Sequence, residues 1–371
     1  MASETGISWT DKTFNPIMGC TKVSPGCANC YAERDFDHRY QKVKWGPSGT
    51  RVLTTDANWR KPLQWDKQAQ IEQEIWCCVS FHPMTGEIVG DALARHGSQV
   101  DTIIKKMIER GSIEESSYLL YPNELHRPRV FCASLADIFE DWEGPILDNN
   151  GWALRIGNDD PSQVYKMPPD SSVTANIAGR ICELSRSMTM EDVRARLFTL
   201  IDDTPHLDWQ LLTKRPENIE RMWPYAGVVE KRPSIGVGHY RPNVWLGTTV
   251  ENQEYADKRI PELLKCHDIA PVLFLSCEPL LGPVEFSNVT KRSDAVAQLG
   301  RKALSGINWV IVGCESGSKR RETNLEWVRS IRDQCKAAGV PFFVKQLEID
   351  GKVSTDVTTF PEDLQIQEFP C

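Results

Sequence analysis

No stretch of the 371-residue chain approaches the ~18 consecutive apolar residues that a membrane-spanning helix needs. Its first ten residues, "MASETGISWT", have neither the basic start nor the apolar core of a secretion signal, so the expected location is the cytoplasm. A basic excess is also missing: 43 Lys and Arg stand against 51 Asp and Glu, a net charge of −8. That excludes the broad positive field of a typical nucleic-acid-binding domain, while a local basic groove stays open. Internal repeats and low-complexity segments are absent too.

What remains is a soluble, globular composition, 40% hydrophobic and 25% charged, in a chain long enough for a large core. Three of its twelve cysteines fall in one short stretch, "GCTKVSPGCANCYAE", as Cys20, Cys27 and Cys30. In a reducing compartment such a cluster reads as metal-binding or catalytic. No fourth cysteine follows nearby. Zinc is satisfied on ligand count if His38 completes a Cys3His site, although structural zinc usually takes two spaced pairs and here only Cys27 and Cys30 form one. An iron–sulfur cluster suits the thiolates better, and three ligands on four irons would leave one iron open for chemistry. Three cysteines that merely pack is the bland reading, but "SPGCANC" presents no apolar face.

The C-terminal half alternates short apolar segments with helix-like ones, the signal of βα units and a parallel sheet. The segments are "RVFCASLAD" (129–137), "DWQLLTKRP" (208–216), "NVWLGTTVEN" (243–252), "PVLFLSCEPL" (271–280), "NWVIVGCESG" (308–317) and "PFFVKQL" (341–347). Helices are expected over 190–203 and 325–339, the latter ending in a Gly two residues before Pro341. Each strand finishes in polar groups: Ser134 and Asp137, then Thr213, Lys214 and Arg215, then Thr248, Glu251 and Asn252. Ser276, Cys277 and Glu278 follow, then Cys314, Glu315 and Ser316, and last Lys345 and Gln346. One such end is an ordinary helix cap, but six in succession point to a shared pocket at the mouth of a barrel.

The expected architecture is α/β: a partial (β/α)6-type, TIM-like barrel with two large insertions. Residues 1–76 carry the cysteine loop and the start of the barrel, 77–128 an insertion and 129–140 a barrel strand. Residues 141–188 form a second insertion, with too little apolar periodicity for a core strand. The barrel resumes over 189–350, and 351–371 is a C-terminal tail.

The loop "FNPIMGC…GCANCYAE" resembles the cluster loop of radical S-adenosylmethionine enzymes, closest to the spore photoproduct lyase branch. The spacing here is C-x6-C-x2-C, where that superfamily uses C-x3-C-x2-C. Together with "SLADIF", "LLTKRPENI", "LGTTVENQEYADKRIP", "EPLLGPV", "VGCESG" and "AGVPFFVKQ", it is similar to a phage-associated family carrying the same three-cysteine motif. The resemblance covers the start of the chain and most of 129–347, outside both insertions.

It implies a [4Fe-4S] cluster on Cys20, Cys27 and Cys30, with S-adenosylmethionine on the open iron yielding a 5′-deoxyadenosyl radical. Tyr31 would pack on the cluster or the adenine, or simply in the core. Ser134 and Asp137 stand in for the missing Gly-Gly-Glu contact to the methionine ammonium. Lys214, Arg215 and Lys345 would meet substrate, the Arg through a bidentate carboxylate or phosphate contact. Thr249, Glu251 and Glu278 would meet ribose or substrate hydroxyls, and Glu315 sits in a Gly-flanked strand end suited to ligand approach. Cys277 and Cys314 are candidate hydrogen donors, against the plainer role of buried cysteine. The substrate would be a nucleotide, a nucleic acid or a protein. Two other readings stay open. One is a zinc-dependent binding protein working beside a separately encoded partner. The other is a non-radical barrel enzyme using Lys214, Glu278 and Glu315 on a phosphorylated small molecule.

Overall fold

The computed structural model describes residues 5–81, 127–158, 160, 162–168, 174–177, 180–183, 185–224, 240–287, 289 and 304–370. In chain order the first strands are β1 (Lys12–Thr13), β2 (Ile17–Met18), β3 (Arg51–Leu53) and β4 (Arg129–Cys132). Next come β5 (Ile146–Leu147), β6 (Ala153–Gly157), β7 (Val164–Met167), β8 (Thr174–Ile177), β9 (Arg180–Glu183) and β10 (Ser185–Ser187). The last are β11 (Asp208–Thr213), β12 (Val244–Thr249), β13 (Val272–Cys277), β14 (Trp309–Gly313), β15 (Phe342–Ile349) and β16 (Lys352–Ser354). Helices used below are α1 (Asp56–Trp59), α2 (Lys61–Phe81), α3 (Met190–Asp202), α4 (Ile219–Met222), α5 (Gln253–Leu264) and α6 (Leu325–Ala338).

All six apolar segments are strands of one sheet, ordered β1-β4-β11-β12-β13-β14-β15-β16. Every neighbouring pair runs parallel except β15 and β16. The partial (β/α)6-type, TIM-like barrel expected from the sequence is not what forms. The sheet is a curled half-barrel of eight strands, bounded on one edge by two-residue β1 and on the other by the β15–β16 hairpin. Both additions are too short to carry periodicity, so the sequence pattern registered six strands where eight pair.

Period-two alternation assigns the two faces of this sheet. Leu273, Leu275, Val310, Val312, Phe342 and Val344 join the larger core, which also contains the buried face of α3 and Val328, Ile331 and Cys335 of α6. Alternate residues Phe131, Trp245, Phe274, Trp309 and Phe343 form a separate aromatic cluster on the other face, around Trp9. The Trp9 ring lies 4.6 Å from Phe131 and 6.2 Å from Trp309. The half-barrel is therefore filled near the strand starts. Two residues further along the same face, Ser276 follows Phe274 and Lys345 follows Phe343, and both line a cavity at the carboxyl ends.

Helix ends follow their local chemistry. Thr189 and Asp192 make a reciprocal capping box at α3, and Gly339 ends α6 in the left-handed region. Residues 141–188 depart from expectation. Ala153–Gly157 is buried throughout and belongs to a second sheet, β10-β6-β5-β3-β2, with β7 beside β6. That sheet includes β2 and β3, the strands flanking the cysteine loop. The expected boundary at 76/77 falls inside α2, and the helix-like 91–111 lies outside the described residues. Among those residues no helix is long and apolar enough to cross a membrane.

Candidate functional site

The cysteine loop leaves β2 and crosses the carboxyl ends of the main sheet. It meets there a cavity of about 550 Å³, whose wall contains Cys20, Cys27 and Cys30 together with Ser134, Asp137, Lys214, Thr249, Glu278, Cys314 and Lys345. Residues more than 300 positions apart thus face one space, with Trp9 and Phe131 also in its lining.

Two of the three thiols have a donor, and the third lies beside a hydroxyl. Arg215 Nη1 lies 3.8 Å from Cys20 Sγ. The Ser24 hydroxyl is 3.7 Å from Cys27 Sγ, across a tight turn closed by Cys27 N to Ser24 O at 2.9 Å. Cys30 precedes a helical segment, and its sulfur accepts from the backbone N–H groups of Glu33 and Ala32. Burial pushes the Cys20 thiol up to about 12, aided by the Asp137 and Glu140 carboxylates and opposed by the Arg215 guanidinium. Burial also raises Cys30, while the two N–H groups and the Lys214 ammonium pull it back. Donors aimed at sulfur favour the thiolate, the form that binds metal.

Arg215 lines the cavity and is at the same time tied into the protein. It is held by Asp137 at 2.9 Å, by Glu140 at 3.4 Å and by the Thr21 carbonyl at 2.7 Å. Glu140 also takes a bidentate pair from Arg51, both contacts at 2.7 Å, with both side chains buried. Asp137 accepts in addition from Thr213 Oγ1 at 2.8 Å and Lys214 N at 3.0 Å. Asp137 and Arg215 are therefore a buried bracket under Cys20, and Asp137 is fully engaged without an ammonium ligand. Arg51 and Glu140 complete this bracket and escaped the sequence reading. The available signal was a charged residue opening an apolar strand, "GTRVL".

Glu251 does not line the cavity. It is fully buried, paired with Arg259 at 2.7 Å, and accepts from the Ser24 hydroxyl. Its carboxylate lies against Gly26, where an added Cβ would overlap it. Glu315 grips the loop from the other side. It accepts from Asn29 Nδ2 at 2.9 Å and from Arg321 N at 2.8 Å, while Arg321 Nη2 reaches the Pro25 carbonyl at 3.0 Å. Burial alone would raise the Glu315 carboxyl, but the Arg321 and Asn29 hydrogen bonds hold it below its ordinary range. Glu251, buried behind the cavity wall, and Glu315, which lines the cavity, both clamp the cysteine loop, to β12 and β14 respectively. Ser24, Asn29, Arg259 and Arg321 had no motif to reveal them.

The remaining groups face the cavity. Lys214 Nζ donates to Thr249 Oγ1 at 3.1 Å, and Lys345 pairs with Glu278. Tyr31 is part-exposed, its hydroxyl donating to the Ser134 carbonyl at 3.0 Å. The Ser134 side chain is taken up by Asn15 at 3.1 Å. Cys314 lines the space, its thiol pushed up to about 11 by burial and the Glu278 charge. Cys277 does not: it points into the helix-side core, fully buried, with its pKa raised well above the ordinary value by that burial.

A single tetrahedral zinc requires its sulfurs within roughly 4 Å of one another, given zinc–sulfur bonds of about 2.3 Å. Among the described residues no three His, Cys, Asp or Glu side chains converge in that way. His38 is exposed at the surface, 4.0 Å from Asp37, and does not line the cavity.

A family model described as "Protein of unknown function (DUF5131)" matches residues 4–143 and 177–358. No curated protein and no solved structure matches the chain.

Proposed function

The chain belongs to that family, whose description names no reaction, and from the site itself we propose a radical S-adenosylmethionine-type enzyme. Its substrate would be a nucleotide, a nucleic acid or a protein. Cys20, Cys27 and Cys30 hold a [4Fe-4S] cluster, leaving one iron for the amino and carboxylate groups of S-adenosylmethionine. When bound, that pair supplies the 5′-deoxyadenosyl radical for hydrogen abstraction.

The observation that carries the proposal is that all three thiols line one cavity, with a donor at two of them: Arg215 at Cys20 and backbone N–H groups at Cys30. Three half-buried thiolates in one loop would repel one another and lose hydration, and the donors at Cys20 and Cys30 offset part of both costs. The Glu251 and Glu315 clamps hold the loop that brings all three cysteines to the cavity wall. The aromatic layer beneath keeps water from the floor of the cavity. Across the hollow, burial keeps the Cys314 S–H protonated, where it can return a hydrogen atom to substrate.

The test is production of 5′-deoxyadenosine after anaerobic reconstitution and reduction with S-adenosylmethionine. Release by the wild type and none by Cys27→Ala is expected. Equal release by both proteins would refute the ligand assignment.

A further inference from the structure

The charges of the cavity and its rim are unevenly neutralised. In the wall, Arg215 is held by Asp137, Lys345 by Glu278, Lys22 by Glu33 and Arg34 by Asp35. Lys214 differs: among the described residues its ammonium pairs with no carboxylate, donating to the Thr249 hydroxyl and acting on the Cys30 thiol. A half-buried cation with no carboxylate is completed by an anionic ligand group.

The rim repeats the pattern outside. Residues 34–45, "RDFDHRYQKVKW", leave the cavity wall at Arg34 and return to it at Trp45. On this excursion Arg39, Lys42 and Lys44 are exposed; Arg39 acts on the Asp35 carboxylate, while Lys42 and Lys44 have no carboxylate partner among the described residues. Lys319, exposed on the facing 316–321 loop, is equally unpaired there, and its carbonyl accepts from Asn29 of the cysteine loop. Two tyrosines are exposed beside these cations: Tyr31 in the wall and Tyr40 on the excursion, with the Arg39 guanidinium 5.3 Å from the Tyr40 ring. A chain of net charge −8 thus places unpaired cations and exposed aromatic faces together at one opening.

We propose that this mouth binds a single-stranded nucleic acid, laying its phosphates on Lys42, Lys44 and Lys319 and presenting one nucleotide to the cavity, with a phosphate at Lys214. Cations that follow a backbone, interleaved with aromatics that stack on bases, form the usual single-strand platform. A duplex offers no free base faces to Tyr31 and Tyr40, and a hollow of about 550 Å³ admits a nucleotide but no double helix. The inference takes the cavity as the reaction site and so rests on the proposed function, but strand binding needs no cluster.

The experiment is fluorescence anisotropy of the full-length protein, with and without reconstituted cluster, against labelled single-stranded DNA, single-stranded RNA, the matching duplex and a polyglutamate peptide. One of the two single strands should bind tighter than the duplex and the peptide. Lys42→Glu, Lys44→Glu and Lys319→Glu combined should weaken it at least tenfold and reduce the log–log salt slope by roughly 2, at about 0.7 for each phosphate no longer neutralised. Tyr40→Ala should weaken it about tenfold by removing a stacking face. The control is Lys265→Glu with Lys336→Glu, charges at the C-terminal ends of α5 and α6, and it should change affinity less than twofold. Equal loss in the control, equal affinity for polyglutamate, or no strand binding would overturn the proposal. Absent strand binding alongside 5′-deoxyadenosine release would remove this inference and leave the enzyme reading. Strand binding in a protein that never releases 5′-deoxyadenosine would do the reverse.

Discussion

Gly26 lies against the Glu251 carboxylate with no room for a side-chain carbon, and Glu251 cannot retreat because Arg259 and Ser24 hold it. The cysteine loop is thus closely packed beside Cys27. Gly26→Ala should displace the loop at a cost of about 1–3 kcal/mol, typical of overpacking. Iron retained after desalting should fall severalfold while the far-ultraviolet circular dichroism is unchanged. Full iron retention would show that the clamp does not set the loop.

Glu140 is the common acceptor for two buried guanidiniums, Arg51 and Arg215. Glu140→Gln leaves both without their shared counter-charge, and breaking a buried pair costs about 3–5 kcal/mol. Urea unfolding of the cluster-free protein should show a loss in that range. A change under about 1 kcal/mol would mean solvent reaches the bracket.

Glu315 titrates below its ordinary value of 4.5 because Arg321 and Asn29 favour its charged form over the opposing effect of burial. Its stabilising contribution is complete above 4.5 and is lost as pH falls through the lower folded value. The stability gap between wild type and Glu315→Gln should be constant at neutral pH and narrow on acidification below 4.5. A gap that widens on acidification would contradict the assigned direction.

Cys314 and Cys277 end adjacent strands but face opposite ways, the cavity for the first and the helix-side core for the second. Cys314→Ala should keep the cluster and 5′-deoxyadenosine release while altering the fate of the substrate radical. Cys277→Ala should leave turnover unchanged and lower stability by about 1 kcal/mol. If Cys277→Ala alone changed product, the hydrogen-donor assignment would move to it.

Much of the main sheet was legible because its strands carry their own signals. Val272 to Cys277 and Trp309 to Gly313 read as apolar runs and end in polar groups, and those ends do share one cavity. Helix α6 was readable from its spacing and from Gly339. The closure was not, because Lys12–Thr13 and Lys352–Ser354 are too short for any periodicity and join the sheet only through register. The strand Ala153–Gly157 was missed because both its faces are covered, which removes alternation. Roles within the site were harder still. Residue type placed Glu251, Glu315 and Arg215 at the site, but whether a charge meets ligand or protein depends on partners scattered along the chain, such as Arg259 and Ser24, 8 and 227 positions from Glu251, and Asn29, 286 positions from Glu315.

The proposed chemistry stands on Cys20, Cys27 and Cys30 together holding an iron–sulfur cluster with one open iron. Visible absorption and metal analysis of anaerobically reconstituted protein test this without recourse to any substrate. The protein should be brown with about four irons per chain, bleached by dithionite, and colourless when any one of the three cysteines becomes Ala. Colourless wild-type protein carrying one zinc per chain after the same treatment would contradict it.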